Sequence, residues 1–291
     1  MTQYRIRPIR PSENPMGPTE ELCVDDLRTG KRYVVVIQCV DIRPNRTPIG
    51  PGVARFTKKE DAPSETGNIQ LCTPEFYRKL EDGDDLDGAQ AADLTPMLAT
   101  QLRKSGMPVS EDNFSAEGTV ASLREPWILC TSIRPSDATG AAALERQFSS
   151  KGPDAVVTTV DDHNAFARQL GIEVAQSAET KRAVKEDAID LIVRHQYWWA
   201  CGADKEVDAF VKVFHGPVHY EDSTLRVRSG SDIANAEADR IWFTKRPKFS
   251  GEREYRFAVL AGCPATNTFR LDVSPELSRL TTPRRCGDRW W

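Results

Sequence analysis

The run from Arg32 to Ile42, RYVVVIQCVDI, constrains the fold of this chain more than any other feature. It is rich in β-branched residues and almost continuously apolar. Such a run is typical of a strand buried on both faces and not of a strand at the edge of a sheet. The run therefore predicts a protein built around a sheet with this strand in its interior.

Further segments complete the expectation of an α+β protein. Strands are predicted by β-branched and aromatic runs at residues 53–57, 69–72, 127–132, 153–160, 210–220, 224–228, 255–260 and 268–273. Helices are predicted by capping residues and apolar periodicity at residues 91–104, 161–170, 178–200 and 233–240, and from Thr73-Pro74 onward. The segments 210–220 and 224–228 are expected to pair with each other. The predicted fold class is α+β, with mixed, mainly antiparallel sheets and flanking and inserted helices.

No internal repeat and no linker rich in glycine or serine divides the chain. We expect an irregular arm over residues 1–20, which hold four prolines. One α+β domain is expected over residues 21–282, with helical insertions near residues 74–115 and 178–205. Residues 283–291 form a basic tail that ends in two tryptophans. Such a tail either docks on the body of the protein or meets a partner, and the sequence leaves both open.

Charge and composition narrow the class of protein. The 291 residues include 39 basic and 43 acidic side chains, for a net charge of −4, which argues against a protein that mainly coats nucleic acid. No stretch approaches the roughly 20 apolar residues of a membrane span, and the N-terminus lacks the apolar core of a secretory signal. The seven cysteines are an odd number without a CxxC motif, which fits reduced thiols. We therefore expect a cytoplasmic protein with no membrane partner.

The stretch from Trp242 to Leu260, WFTKRPKFSGEREYRFAVL, is the strongest candidate for a functional segment. It places Glu252 and Glu254 one residue apart, just before an apolar strand. Alternate residues of an extended chain share a face, so the two carboxylates are expected on one side. Like charges beside a buried strand are costly unless cations pair with them. The ordinary alternative is a solvated turn whose glutamates pair with neighbouring lysine and arginine residues.

Other chemistries have less support. The phosphate-cradling patterns GxxxxGK[ST] and GxGxxG do not occur. His215 and His219 are four residues apart and separated by Gly216-Pro217, a spacing that does not suit one tetrahedral ion in a strand, so we expect no metal site. The acidic run at residues 81–87 does not match the calcium-loop pattern. It leaves open a metal-dependent nuclease as an alternative function.

Three features of the chain follow one another in a familiar order. Arg55 lies on an early strand, and Cys130-Thr131-Ser132 ends a later one. The turn Phe249-Ser250-Gly251 then leads into Glu252-Arg253-Glu254. This order resembles the bacterial ADP-ribosyltransferases of the Arg–Ser–Glu type. The resemblance implies an ADP-ribosyltransferase-like core, NAD as the substrate, and the final turn as the place of substrate recognition and catalysis.

The chain also resembles, over most of its length, a bacterial family of unassigned function. That family has an aspartate-rich N-terminal segment, a V-x-Y strand and a K…W/F…E-x-E-x-R signature. The corresponding segments here are residues 84–90, 218–220 and 245–256. This second resemblance implies no particular chemistry.

The first resemblance gives each candidate residue a role. Glu254 is expected to stabilise the positive charge that develops on the ribose as nicotinamide leaves. Glu252 would face the acceptor and orient or deprotonate it. Arg55 would bind a phosphate of NAD, because a guanidinium forks onto phosphate oxygens. Thr131 or Ser132 would hold the catalytic glutamate or the ribose.

Aromatic side chains complete the expected NAD site. The candidates for stacking on nicotinamide or a nucleobase are Tyr220, Trp242 and Tyr255. Each of these residues has an ordinary alternative role in the core. Arg55 also has an ordinary alternative role, as a member of a surface ion pair. Thr131 and Ser132 have one as strand-end caps.

The function that follows is transfer of ADP-ribose from NAD to a protein or nucleic-acid acceptor. Among bacterial proteins this activity belongs to toxins and phage-defence effectors, for which a cognate neutralising protein is a candidate partner. Two alternatives stay open beside it: a non-catalytic module that binds nucleic acid or a protein through the basic tail, and the metal-dependent nuclease.

Overall fold

The computed structural model describes most of the chain. The described residues are 4–8, 19–26, 31–43, 49–80, 89–110, 115–121, 125–152, 154–177, 180, 209–221, 224–226, 228, 241–261 and 266–291. Two helices were predicted over residues 178–200 and 233–240, and an insertion near residues 178–205. Apart from residue 180, these segments lie outside the described residues. The acidic run at 81–87 also lies outside them.

The chain divides into two compact units where the sequence suggested one domain with insertions. The first unit contains residues 1–73, 126–217 and 251–291, and the second contains residues 74–125 and 218–250. The predicted insertion near residues 74–115 thus belongs to the second unit.

The described strands are numbered in chain order. They are β1 (Tyr4–Pro8), β2 (Thr19–Asp26), β3 (Lys31–Asp41), β4 (Val53–Thr57), β5 (Asn68–Cys72), β6 (Ala89–Asp93), β7 (Glu117–Ala121), β8 (Trp127–Ile133), β9 (Val156–Val160), β10 (Ala209–Pro217), β11 (His219–Tyr220), β12 (Leu225–Arg226), β13 (Thr244–Lys245), β14 (Glu254–Leu260), β15 (Thr268–Asp272) and β16 (Thr282–Arg285). The α-helices are α1 (Pro63–Thr66), α2 (Pro74–Arg78), α3 (Thr95–Lys104), α4 (Ala138–Gln147), α5 (His163–Gln176) and α6 (Pro275–Arg279). Short 3₁₀ helices cover Lys59–Asp61, Ser149–Lys151 and Pro247–Glu252.

The first unit is built on one open sheet. Its strands follow the order β1-β2-β3-β10-β14-β8-β4-β9-β16, and β5 joins it beside β8 with β15 as its further partner. Among the described pairs of this sheet only β3 and β10 run parallel, and the others are antiparallel. The predicted class, α+β with a mainly antiparallel sheet and several helices, is confirmed. The strand predicted from the apolar run 32–42 lies in the interior, between β2 and β10.

Several local expectations were wrong, and each has a physical reason. Residues 4–8 and 19–20, expected in an irregular arm, form strands because they pair with each other and with β3. The helix predicted from residue 91 starts at Thr95, since residues 89–93 pair with β7 as strand β6. The segments near 210–220 and 224–228 do not pair with each other: β10 pairs with β3 and β14, whereas β12 pairs with β6.

Helix α5 covers one face of the sheet, where it packs on β3, β10 and β14. Asp162 caps it by accepting a hydrogen bond from the Ala165 backbone N–H at 2.9 Å. The helix approaches the sheet closely at Gly171, where a Cβ atom would lie 2.8 Å from Val213 Cγ2 and 3.1 Å from Ile37 Cγ2. The main apolar core, which includes Phe166, Leu170, Val213 and Phe257, lies here.

A smaller apolar cluster covers part of the opposite face. Phe56 of β4 stacks on Phe148 with ring centroids 4.7 Å apart and meets Trp290 edge-on at 5.3 Å. Trp290 is 2% exposed, and its indole Nε1 donates to Glu145 Oε1 of α4 at 2.8 Å. The C-terminal tail therefore docks on the body of its own unit.

The second unit is described as two small sheets and two helices. Strands β12, β6 and β7 form one sheet, and β11 pairs with β13 in parallel. A small core brings Ala92 and Ile241 together with Leu94 and Met97.

Candidate functional site

Glu254 is a buried carboxylate at the first residue of β14. Its side chain is 4% exposed, and it forms an ion pair with Arg256, which is fully buried. Arg256 Nε donates to Glu254 Oε1 at 2.7 Å and Nη2 donates to Oε2 at 3.3 Å. The two residues are two apart on one strand, so they share a face of the sheet. This two-pronged contact holds the carboxylate in one orientation.

Glu252 is not part of the extended chain that was expected to carry both glutamates. It is the last residue of the 3₁₀ helix Pro247–Glu252 and is half-buried. The residue between the two glutamates, Arg253, has φ of 48° and is the one non-glycine residue with positive φ among those described. Its carbonyl accepts a hydrogen bond from the Ile133 N–H at 2.8 Å. The expectation of two carboxylates on one strand face was therefore wrong, because Glu252 ends the 3₁₀ helix and the backbone is left-handed at Arg253, before β14 begins.

Ser132 and Thr131 are buried neighbours on β8 that face opposite sides of the sheet. Ser132 stands opposite Glu254 in the register, so the two side chains share a face. Thr131 stands opposite Tyr255, and its hydroxyl donates to the Tyr255 carbonyl at 2.7 Å. Ser132 thus belongs with the glutamate, whereas Thr131 fastens one strand to the next.

Arg55 lies on the face of the sheet that does not carry Glu254. Ala54 pairs with Ser132, which pairs with Glu254, and Arg55 is the next residue along β4. Successive residues of a strand point to opposite faces. The Arg55 Nη2 donates to the Gln70 carbonyl at 3.2 Å. The sheet therefore brings Ser132 and Glu254 together and separates Arg55 from both.

The aromatic candidates have three different surroundings. Trp242 is 2% exposed and lies in the second unit. Tyr220, also in that unit, is half-buried and stands opposite Lys245 in the pair β11–β13. Tyr255 is fully buried in the first unit, where its hydroxyl lies 2.8 Å from His215 Nδ1.

That hydrogen bond belongs to a polar cluster that the sequence did not reveal. Arg43 binds Asp41 at the end of β3, with its Nε 2.9 Å from Asp41 Oδ1. His215 stands opposite Asp41 in the parallel pair β3–β10. The ring of His163, at the start of α5, is centred 5.9 Å from that of His215 and 5.7 Å from that of Tyr255. Four separate elements of the first unit therefore bring these five side chains together.

Burial dominates the electrostatics of this cluster. It lowers the pKa of His215 to about 4 and raises the pKa of Tyr255. Burial also lowers the pKa of His163, and the charge of Arg43 adds to that effect. Burial alone would raise the pKa of Asp41, but the hydrogen bonds from Arg43 outweigh it and lower that pKa. At neutral pH both imidazoles and the phenol are therefore uncharged.

The cluster shows no sign of a metal site. In the part of the chain that the structure describes, no group of three or more histidine, cysteine, aspartate or glutamate side chains is placed to hold an ion. His215 is engaged with Tyr255, and His219 belongs to the other unit. One signal in the sequence pointed toward the cluster: a histidine inside an apolar strand, which is costly without a buried partner.

Comparison with known proteins adds no relative. No family model matches the chain, and neither a curated protein nor a solved structure is similar to it. Within the described residues, no helix has both the length and the apolar character that crossing a membrane requires.

Proposed function

We propose that this protein is an NAD-dependent ADP-ribosyltransferase with an ADP-ribosyltransferase-like core, and that Glu254 is its catalytic carboxylate. One observation carries the proposal: Glu254 is a buried carboxylate at a strand start, oriented by Arg256 and placed beside Ser132. The left-handed backbone at Arg253 adds support, since strained residues concentrate at functional sites.

The proposed reaction uses the carboxylate to stabilise a cation. The bond between the ribose C1′ and the nicotinamide nitrogen breaks, and its electron pair leaves with nicotinamide. Positive charge then develops on the ribose, and a fixed carboxylate stabilises this charge more than it stabilises the ground state. The acceptor nucleophile bonds to C1′, and Glu252 takes its proton.

Ser132 has a supporting role in this proposal. Its hydroxyl shares the strand face of Glu254, so it is suited to orient the carboxylate or the ribose. Arg55 and Thr131 are left out of the catalytic group because they face the other side of the sheet. Trp242 is left out because it belongs to the second unit, whereas Glu254 belongs to the first.

The test separates bond cleavage from transfer. Wild-type protein, Glu254→Gln and Glu252→Gln are incubated with labelled NAD and a cell lysate, and nicotinamide release and label incorporation are both measured. Glu254→Gln should lose both. Glu252→Gln should still release nicotinamide while label incorporation falls, because its role concerns the acceptor. Treatment of the products with protease or nuclease identifies whether the acceptor is protein or nucleic acid.

Stability has to be controlled in this test. Glu254→Gln leaves Arg256 buried without its counter-charge, which costs about 3–5 kcal/mol in comparable pairs. Thermal melting therefore accompanies each assay, and Glu254→Asp supplies a second variant that keeps the charge but withdraws the carboxylate. Glu276→Gln, an exposed glutamate on α6, is the matched control. Unchanged nicotinamide release in folded Glu254→Gln would refute the proposal.

The biological setting belongs to the same proposal. A transferase of this kind acts as a toxin or a phage-defence effector, and a neutralising protein would be its partner. Growth arrest of bacteria that express the wild type, but not of those that express Glu254→Gln, is the expected result.

A further inference from the structure

Arg253, which lies between the two glutamates of the proposed site, has a backbone conformation that arginine rarely adopts. Its φ of 48° lies in the left-handed region, where a Cβ atom causes strain and glycine or asparagine is favoured. The 3₁₀ helix Pro247–Glu252 ends just before Arg253, and β14 begins just after it. The Arg253 carbonyl also accepts a hydrogen bond from the Ile133 N–H at 2.8 Å. The fold therefore fixes a conformation here that glycine would adopt with less strain than arginine.

The side chain of Arg253 makes no polar contact that would offset this strain. It is exposed, and in the described part of the chain its guanidinium takes part in no hydrogen bond or ion pair. The neighbouring Glu254 is paired with Arg256, whose Nε lies 2.7 Å from Glu254 Oε1. Strained residues concentrate where a ligand is bound or transformed. A guanidinium without a partner at such a position indicates a side chain retained for a ligand and not for the fold.

The substrate of the proposed reaction needs a cation of this kind. NAD carries two negatively charged phosphates, and one of them is joined through C5′ to the ribose on which Glu254 would act. Arg55 faces the other side of the sheet, and Arg256 is paired with Glu254. Arg253 is next to Glu254 in the chain, and a guanidinium can donate two parallel hydrogen bonds to phosphate oxygens.

We propose that Arg253 binds the diphosphate of NAD and so sets the affinity of the site for the dinucleotide. This inference rests on the proposed transferase function, in which Glu254 acts on the ribose. The diphosphate does not react, so its contact with Arg253 is equally strong before and during bond cleavage. Such a contact lowers the KM for NAD and leaves kcat nearly unchanged. Arg253 is therefore a binding residue and not a catalytic one.

The test is isothermal titration of the full chain with ADP-ribose, which keeps both phosphates and has no nicotinamide to release. Arg253→Gln should weaken binding about tenfold, as expected for the loss of a hydrogen bond between charged groups. Arg253→Lys should recover part of this affinity, because it keeps the charge but not the paired donors. In assays of nicotinamide release, Arg253→Gln should raise the KM for NAD about tenfold and change kcat by less than about threefold.

Arg253→Gly separates a role in ligand binding from a role in the fold. Glycine adopts positive φ with little strain, so this variant should melt at the temperature of the wild type or above it. It should nevertheless bind ADP-ribose about tenfold more weakly, like Arg253→Gln. Affinity equal to that of the wild type in Arg253→Gly and Arg253→Gln would overturn the inference, whatever their melting temperatures.

The matched control is Arg284→Gln, which removes the same charge at an exposed site on β16 of the same unit. It should bind ADP-ribose within about twofold of the wild type, because long-range attraction alone would fall similarly with either change. Equal losses in Arg253→Gln and Arg284→Gln, or no binding of ADP-ribose by the wild type, would overturn the inference. Unchanged ADP-ribose binding by Arg253→Gln with reduced labelling of the acceptor would also overturn it, since the guanidinium would then serve the acceptor.

Failure of this inference and failure of the transferase proposal give different results. If Glu254→Gln stops nicotinamide release while Arg253→Gln binds ADP-ribose like the wild type, only the role of Arg253 is refuted. If Arg253→Gln weakens ADP-ribose binding while folded Glu254→Gln releases nicotinamide like the wild type, only the role of Glu254 is refuted.

Discussion

The buried polar side chains on the two faces of strand β14 differ in their charge. On one face Glu254 and Arg256 are both charged and pair with each other over 2.7 Å. On the other face His215 and Tyr255 are neutral and share one hydrogen bond. The first face keeps a carboxylate ionised inside the protein, and the second uses polar groups without charge. A carboxylate held in this manner is suited to stabilise a cation, whereas a neutral pair is suited to fix strand geometry.

The largest expected effect concerns the charged face. Arg256→Met should lower the free energy of unfolding by about 3–5 kcal/mol, because Glu254 would stay buried without its cation. The double variant Glu254→Met/Arg256→Met should recover most of that loss, since an apolar pair needs no counter-charge. Urea unfolding of both variants and the wild type measures the difference. Equal losses in the single and double variants would show that the loss does not come from breaking the Glu254–Arg256 pair.

The neutral face should respond to acid. The pKa of His215 is lowered to about 4. As the pH falls below about 6.5, this imidazole therefore binds a proton in the unfolded chain but not in the folded protein. Stability is therefore fully present above about pH 6.5 and is lost as the pH falls toward 4, by about 3 kcal/mol. The lowered pKa of His163 acts in the same direction in this pH range, and the lowered pKa of Asp41 does so only below its ordinary value of 3.8.

Urea unfolding between about pH 7 and pH 4 checks this expectation. His215→Gln cannot titrate and should show a shallower loss, with the remainder due to His163, whose pKa is also lowered. His219→Gln, in the other unit, is the matched control and should retain the slope of the wild type. A slope unchanged by His215→Gln would show that the neutral imidazole is not the source of the acid sensitivity.

The smallest effect isolates the hydrogen bond between the two rings. Tyr255→Phe leaves His215 Nδ1 without its partner, which should lower the free energy of unfolding by about 1–3 kcal/mol. Burial raises the pKa of Tyr255, so the unfolded chain loses its phenol proton first and the wild type should become less stable above about pH 10. Tyr255→Phe should lack that contribution. A double-mutant cycle with His215→Leu measures the coupling, and a coupling near zero would contradict the bond.

Much of the sheet was predictable because each strand carries its own signal. The β-branched runs at residues 32–42 and 127–132 correspond to β3 and β8 within one residue at each end. The N-terminal strands were missed because their proline and polar residues give no signal of the pairing of β1 with β2 and of β2 with β3. Local pattern therefore predicted elements well where burial was strong.

The candidate site was only partly predictable because the register between two strands cannot be read from the sequence of either strand alone. The order Arg55, Ser132, Glu254 along the chain carries no information about faces. A shift of one residue in the pairing of β4 with β8 would have placed Arg55 beside Ser132. The meeting of Asp41 with His215 depends on the parallel pairing of β3 with β10, whose partners are distant in sequence.

The left-handed backbone at Arg253 could not be predicted for a different reason. An arginine has no preference for the left-handed region, so nothing at that position predicted positive φ. The pairing of Glu254 with Arg256 could be predicted, because residues two apart on one strand share a face. The ion pair follows from the sequence once the strand is placed correctly.

The most direct measurement is the rate of nicotinamide release from NAD by the wild type, Glu254→Gln and Tyr255→Phe, assayed together below their melting temperatures. The wild type should cleave NAD. Glu254→Gln should be slower by about a hundredfold or more, as expected for loss of a group that stabilises developing charge, and Tyr255→Phe should remain within about threefold of the wild type. A folded Glu254→Gln that cleaves NAD as fast as the wild type would contradict the assignment of catalysis to the charged face of β14.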